Sequence, residues 1–178
     1  MRVAVTGTPG TGKTSATERL DTDLNVVHLN DAIREADLYT ERDEARDSLV
    51  ADLGAINERY ADRDDVLVES HLAHHLEDVD RVIVLRWAPD VLEERLRERG
   101  TDEGADLDAL EREATENAEA EALDVILGEA VRKHGQERVY EIDTTDRTPD
   151  GVATEIAAVL DGEREPSAGE VDFTEYLL

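Results

Sequence analysis

Eight residues near the start, Gly7-Thr8-Pro9-Gly10-Thr11-Gly12-Lys13-Thr14, constrain this chain more than any other stretch. They satisfy G-x-x-x-x-G-K-[ST] at every fixed position. They follow Val3-Ala4-Val5, an apolar run that reads as a buried strand, and precede Ser15 to Leu20, which reads as helix. A phosphate-binding loop needs that order. Glycines let the backbone wrap an anion with its N–H groups inward, and the following helix presents the positive end of its dipole. Gly10, Thr11, Gly12 and Ser15 would line the cradle, Lys13 would reach the β- and γ-phosphates, and the Thr14 hydroxyl would take a place on Mg²⁺. A glycine-rich turn that binds nothing is the plain alternative. Strand, spacing and helix agree against it, so the chain is expected to bind a nucleoside triphosphate.

At 178 residues the length suits one domain with a substantial core. No apolar run is long enough to span a bilayer, and the first residues look like a strand, not a signal peptide. The absence of cysteine excludes disulfides and thiolate metal sites, which fits a cytoplasmic protein without a membrane partner. The charge balance is extreme, with 46 acidic residues against 19 basic ones and a formal net charge of −27. Such a surface repels nucleic acid, so no direct sequence-specific nucleic-acid binding is expected. Only Lys13 and Lys133 are lysines. Acid excess with scarce lysine looks like a halophile's protein, in which molar salt screens self-repulsion over about 3 Å. Where lysine is so rare, Lys13 has a chemical reason to be there.

Strands alternate with helices along the chain. Val26-Val27-His28-Leu29, Val66-Leu67-Val68, Val82-Ile83-Val84-Leu85 and Val139-Tyr140-Glu141-Ile142 read as further strands, the middle two suited to a parallel sheet buried on both faces. Asn30 is a plausible N-cap for a helix through Ala36. Asp37 to Asp47 is polar, and Ser48 is expected to start a helix whose stripe is Leu49, Leu53, Ile56 and Tyr60. Pro89 opens a helix carrying Val91, Leu92 and Leu96 that is expected to stop at Gly100. An acidic loop from Gly100 to Asp108 and one long helix to about His134, burying Ala118, Ala122, Val125 and Ile126, should follow. Thr148-Pro149 caps a last helix through Leu160. The expectation is an α/β fold, a three-layer P-loop NTPase with a parallel five-stranded sheet flanked by helices.

Val66-Leu67-Val68-Glu69 is an apolar strand ending in an acid, the pattern of a Walker B element. Glu69 would bind Mg²⁺ through water or orient the nucleophile; capping the next helix is its structural alternative. His71 follows on the loop leaving that strand and should face the same cleft. His71, His74 and His75 could also be read as metal ligands, but no cysteine or nearby carboxylate completes a zinc site in the sequence. Phosphoryl transfer needs cations on both nucleotides. Arg34 lies where a second substrate would enter, and Arg95 and Arg99 share one helix face ahead of the acidic loop. Pairing with neighbouring glutamates is the alternative for each.

Gly7–Thr14, Glu69-Ser70-His71, Arg95-Leu96-x-x-Arg99-Gly100 and Glu141-Ile142-Asp143-Thr144-Thr145 together resemble the adenylate kinase isoenzyme 6-like group, the archaeal and nuclear adenylate kinases linked to small ribosomal subunit maturation. The resemblance spans nearly the whole chain, including the Val171-Asp172-Phe173 tail. It implies ATP + AMP ⇌ 2 ADP with Mg²⁺, together with ATPase activity, and a fold like that of nucleoside monophosphate kinases. Residues 1–160 would form one kinase domain, with a monophosphate lobe at about 30–60 and a short lid at about 100–112; 161–178 would be an acidic linker and tail. It also implies catalytic roles for Lys13, Glu69, His71 and Arg99, and Mg²⁺ held by Thr14 and Glu69. Arg95, Asp143, Thr144 and Thr145 would line the adenine side, and Arg34, Asp52 and His71 the AMP side. The lid departs from the pattern in having Thr115 where a basic residue is expected, with Arg112 nearby to substitute.

Two other readings stay open. A P-loop kinase acting on a sugar acid or shikimate-like acceptor would fit the loop and lid but leaves Glu69-x-His71 unexplained. An ATP-switched assembly factor would use its acidic surface to bind a basic small-subunit ribosomal protein or pre-ribosome. Phe173, Tyr176, Leu177 and Leu178 would then dock on a partner, or else fold back on their own domain.

Overall fold

A computed structural model describes residues 1–44, 48–102 and 106–178. Five strands, β1 (Arg2–Thr6), β2 (Asn25–His28), β5 (Val66–Glu69), β6 (Arg81–Arg86) and β7 (Val139–Asp143), form one sheet in the order β2-β5-β1-β6-β7. Every pairing in it is parallel. Strict alternation sorts its side chains into two cores. Val3, Val5, Leu67, Ile83 and Leu85 point to one face, where Ala16 of α1 (Lys13–Thr17) and Val152, Ile156 and Val159 of α7 (Pro149–Leu160) cover them. Ala4, Val66, Val68, Val82 and Val84 point to the other, under α2 (Leu29–Glu35), α3 (Leu53–Tyr60) and α6 (Val125–His134). The result is the expected three-layer arrangement with the phosphate loop leaving the central strand.

Between β2 and β5 in the chain lies a separate two-stranded antiparallel sheet, β3 (Tyr39–Asp43) and β4 (Ser48–Ala51), where a polar stretch and the start of a helix are expected from the sequence. Residues 45–47 between them lie outside the described residues. The helix starts only at Leu53, because Asp52 caps it: its Oδ1 accepts the Ala55 N–H at 3.0 Å. Leu49 therefore belongs to a strand, and its helical spacing to Leu53 is coincidental.

The lid region differs as well. α4 (Pro89–Asp102) runs past Gly100, which is buried where α5 (Leu107–Ala122) approaches it; a Cβ there would meet the Leu110 side chain at 2.1 Å. Gly100 thus permits close helix packing and does not end the helix. Residues 103–105 of the expected acidic loop lie outside the described residues. The single long helix is in fact two. Asp124 adopts the left-handed conformation (φ 53°) and separates α5 from α6, which leaves Val125 exposed. In the same way α2 begins one residue before Asn30, and α1 is shorter than Ser15–Leu20.

Candidate active site

Gly7 opens the cradle at φ 143°, with no room for a side chain: a Cβ would sit 2.4 Å from the Leu85 carbonyl oxygen on β6. Gly12 is left-handed as well and caps α1. The Lys13 side chain is almost wholly buried, and its Nζ donates to the Gly7 and Thr8 carbonyls at 2.9 and 3.0 Å. Burial pushes its pKa down to about 8, against the pull of the Glu69 and Glu121 carboxylates, and the nearby Arg99 guanidinium adds to the lowering. Among the described residues, no carboxylate is bonded to this ammonium.

Thr14 donates its hydroxyl to Glu69 Oε1 at 2.9 Å, and His28 Nδ1 lies 2.8 Å from the same oxygen. Parallel pairing explains the meeting, because His28 and Glu69 are register partners at the ends of β2 and β5. A hydroxyl and a carboxylate this close offer hard oxygen ligands, the donor set that suits Mg²⁺. Lys13, Thr14 and Glu69 share a cavity of about 250 Å³ with Pro9, Gly10, Gly12, Ser15, Asn30, His71, Arg95 and Arg99. Thr11 is fully buried behind it. Burial first, then the Lys13 charge and the two following histidines, hold the His71 pKa down to about 4, so its imidazole is neutral at pH 7.

A second cavity of about 610 Å³ adjoins the first. Asn30, Ile33 and Arg34 of α2, the hairpin residues Tyr39, Arg42, Ser48, Leu49 and Ala51, and His71 and Leu72 line it. Asn30 and His71 belong to both cavities. The Arg34 side chain is 70% exposed and makes a loose 3.7 Å pair to Asp31. Asp52 stands outside this wall and is occupied as a helix cap.

On the far side of the loop, Arg95 stacks over the Trp87 ring at 4.4 Å. Thr144 has no exposed surface; its hydroxyl bonds the Arg86 carbonyl at 2.8 Å and the Thr11 carbonyl at 3.4 Å, so it braces the loop from behind and does not line a pocket. Thr145 accepts from the Ala88 N–H and donates to Asp143, an exposed acid. Thr115 donates to Glu93 Oε1 at 2.7 Å and so takes part in helix packing.

A buried ion cluster also supports the loop, and nothing in the sequence patterns announced it. Arg86, 1% exposed, reaches Glu121 through Nε at 2.6 Å, Asp124 through Nη2 at 2.5 Å and Glu141 through Nη1. The second Glu121 oxygen accepts the Thr8 hydroxyl at 2.5 Å, which ties the cluster to the phosphate loop. The second Glu141 oxygen accepts the N–H groups of Gly169 and Glu170 at 2.6 and 2.9 Å, and Phe173 covers Arg86 with its ring centroid 5.4 Å away. Tyr176 donates to Glu93 at 3.0 Å, so the tail folds back on its own domain.

Comparison with known proteins places this geometry in context. The family described as AAA domain matches residues 3–124. A protein named "Putative adenylate kinase" from Natronomonas pharaonis is 61% identical over 177 residues, covering 99% of this chain and all of the relative. One of the same name from Halobacterium salinarum is 59% identical with the same coverage. The chain belongs to this adenylate kinase family of P-loop proteins. Solved structures agree on the fold alone. A shikimate kinase from Bacteroides thetaiotaomicron matches at TM-score 0.55 and 19% identity, covering 90% of this chain and 98% of its own. A deoxyadenosine kinase from M. mycoides matches at 0.54 and 11%, covering 90% and 100%. Among the described residues, no helix is long and apolar enough to cross a membrane.

Proposed function

We propose that this family member transfers the γ-phosphoryl group of ATP to AMP, giving two ADP, and also hydrolyses ATP when water takes the acceptor's place. The observation that carries the reading is the pair of adjoining cavities sharing Asn30 and His71, one with the phosphate loop and one with Arg34. Two anionic substrates held from opposite sides would meet at that shared wall.

Lys13 would leave the Gly7 and Thr8 carbonyls for the β- and γ-phosphates, while Thr14 and Glu69 hold Mg²⁺. The ion, when bound, neutralises charge on the phosphate oxygens. Arg34 would hold the AMP phosphate, and Arg99 would approach the transferred group from α4. Arg95 and Trp87 offer a flat face to the adenine, beside Asp143 and Thr145. One P–O bond forms to an AMP phosphate oxygen as the bond to the ADP leaving oxygen breaks, with no proton required. The neutral His71 imidazole would orient an attacking water, a role that needs hydrogen bonding and not charge. Catalysis is then mostly placement and electrostatics.

The proposed setting is the cytoplasm of a salt-adapted cell, because the net charge of −27 is best tolerated where salt screens it. The same acidity favours a basic partner, and a small-subunit ribosomal protein or pre-ribosome is our proposal. A pull-down in molar KCl with and without ATP tests that part. A coupled assay at high salt with ATP and each nucleoside monophosphate tests the chemistry. AMP should be the preferred acceptor; transfer to shikimate or a sugar acid in its place would refute the reading.

A further inference from the structure

The carboxylate that the histidine run lacks in the sequence arrives from another helix. His74 and His75 sit on the turn after β5, and Glu129 projects from α6, so that one ligand atom from each lies within 4.8 Å of the others. Glu129 Oε2 is 2.9 Å from His74 Nε2 and 3.8 Å from His75 Nε2. A tetrahedral ion with bonds of about 2.05 Å needs ligand atoms about 3.3 Å apart, and the two observed separations bracket that value within about half an ångström.

We propose that His74, His75 and Glu129 form a binding site for a divalent transition cation of the Zn²⁺ class, separate from the nucleotide site. Two imidazoles and one carboxylate favour such an ion over Mg²⁺ or Ca²⁺, which take oxygen ligands. The site is held ready from behind. His74 Nδ1 is 2.9 Å from the buried Thr6 hydroxyl; with the metal on Nε2, Nδ1 carries the proton and donates it to that oxygen, the outer-shell bond that orients a ligand histidine. The carbonyls of the two histidines are fixed as well, His75 by Lys133 Nζ at 2.7 Å and His74 by His134 Nε2 at 2.7 Å, both from the helix that carries Glu129. His74 is buried, while His75 and Glu129 are 30% and 40% exposed, which leaves a path for the ion and a place for a water ligand. The ligand set carries one negative charge, so a divalent ion is not repelled.

The test uses the full chain stripped with chelator, in molar KCl, without nucleotide or Mg²⁺. Titration with Co²⁺ should give visible absorption bands of tetrahedral cobalt at one ion per chain, displaced by Zn²⁺. His75→Ala and Glu129→Gln, both at part-exposed positions, should weaken binding at least 100-fold, and Thr6→Val about tenfold. Glu69→Gln, at the nucleotide site, should leave Co²⁺ affinity unchanged. Zn²⁺ should raise the melting temperature of the wild type but not of Glu129→Gln, while the two stripped proteins melt alike. No saturable binding, binding equally tight in His75→Ala and Glu129→Gln, or loss in Glu69→Gln would overturn the proposal.

Discussion

Replacing Arg86 with methionine should damage both the stability and the nucleotide affinity of this protein. Methionine fills a similar shape without charge, so the lost quantity is electrostatic. The guanidinium serves Glu121 and Glu141, whose side chains are 4% and 0% exposed, and the more open Asp124. Without it, two buried carboxylates have no cation, and breaking a buried pair in this way costs about 3–5 kcal/mol. For a chain of this size each kcal/mol shifts the melting temperature by about 2–4 °C, so a fall of about 6–20 °C is expected. Calorimetry in molar KCl measures it. Arg86→Lys keeps the charge but cannot reach three acids, and should fall between. Adding Glu121→Gln to the methionine variant should recover part of the loss, because one uncompensated charge disappears. A fall below about 2 °C, or no recovery in the double variant, would refute the view that Arg86 neutralises these acids.

Lys13→Met should abolish ATP turnover; unchanged kinase and ATPase rates would defeat the site assignment. His71→Ala should reduce hydrolysis more than ATP affinity, and equal loss of both would point to a binding role only. Gly7→Ala should weaken ATP binding more than tenfold, since its Cβ would overlap the Leu85 carbonyl at an unfavourable φ; titration calorimetry reads this. The Lys13 pKa of about 8 gives two opposite pH dependences. Because the unfolded chain holds this proton up to its ordinary pKa, the group's contribution to stability rises between about pH 8 and 10.5. ATP affinity, which uses the ammonium, should fall about eightfold from pH 7.5 to 9.0, and a flat profile would show that the proton is not needed.

Where spacing alone determines geometry, the sequence was sufficient. The phosphate loop, the strand ending at Glu69 and the five parallel strands all follow from local pattern, and the signal is strongest in β1, β5, β6 and β7, which are buried over nearly their whole length, while the edge strand β2 is only half-buried. Strands β3 and β4 were hidden for the opposite reason: none of their residues is fully buried, so the sequence carries no strong apolar signal there, and Leu49 matched a helical stripe by chance. The break at Asp124 escaped notice because it uses an aspartate in a conformation that usually signals itself with glycine. The arrivals from afar were beyond reach. His28 meets Glu69 by strand register, Glu121 reaches Thr8 across 113 residues, and Glu129 joins His74 across 55. In a chain with 46 acids, nothing in composition separates those glutamates from solvated ones.

The Glu121–Arg86–Glu141 chain of contacts has a mechanical consequence. One end grips residue 8 and the other grips residues 169 and 170, so the polypeptide behaves as a closed loop although its backbone is open. A pull on the tail therefore reaches the phosphate cradle through side chains anchored on β7 and β6, and whatever seizes the last dozen residues also pulls on that cradle.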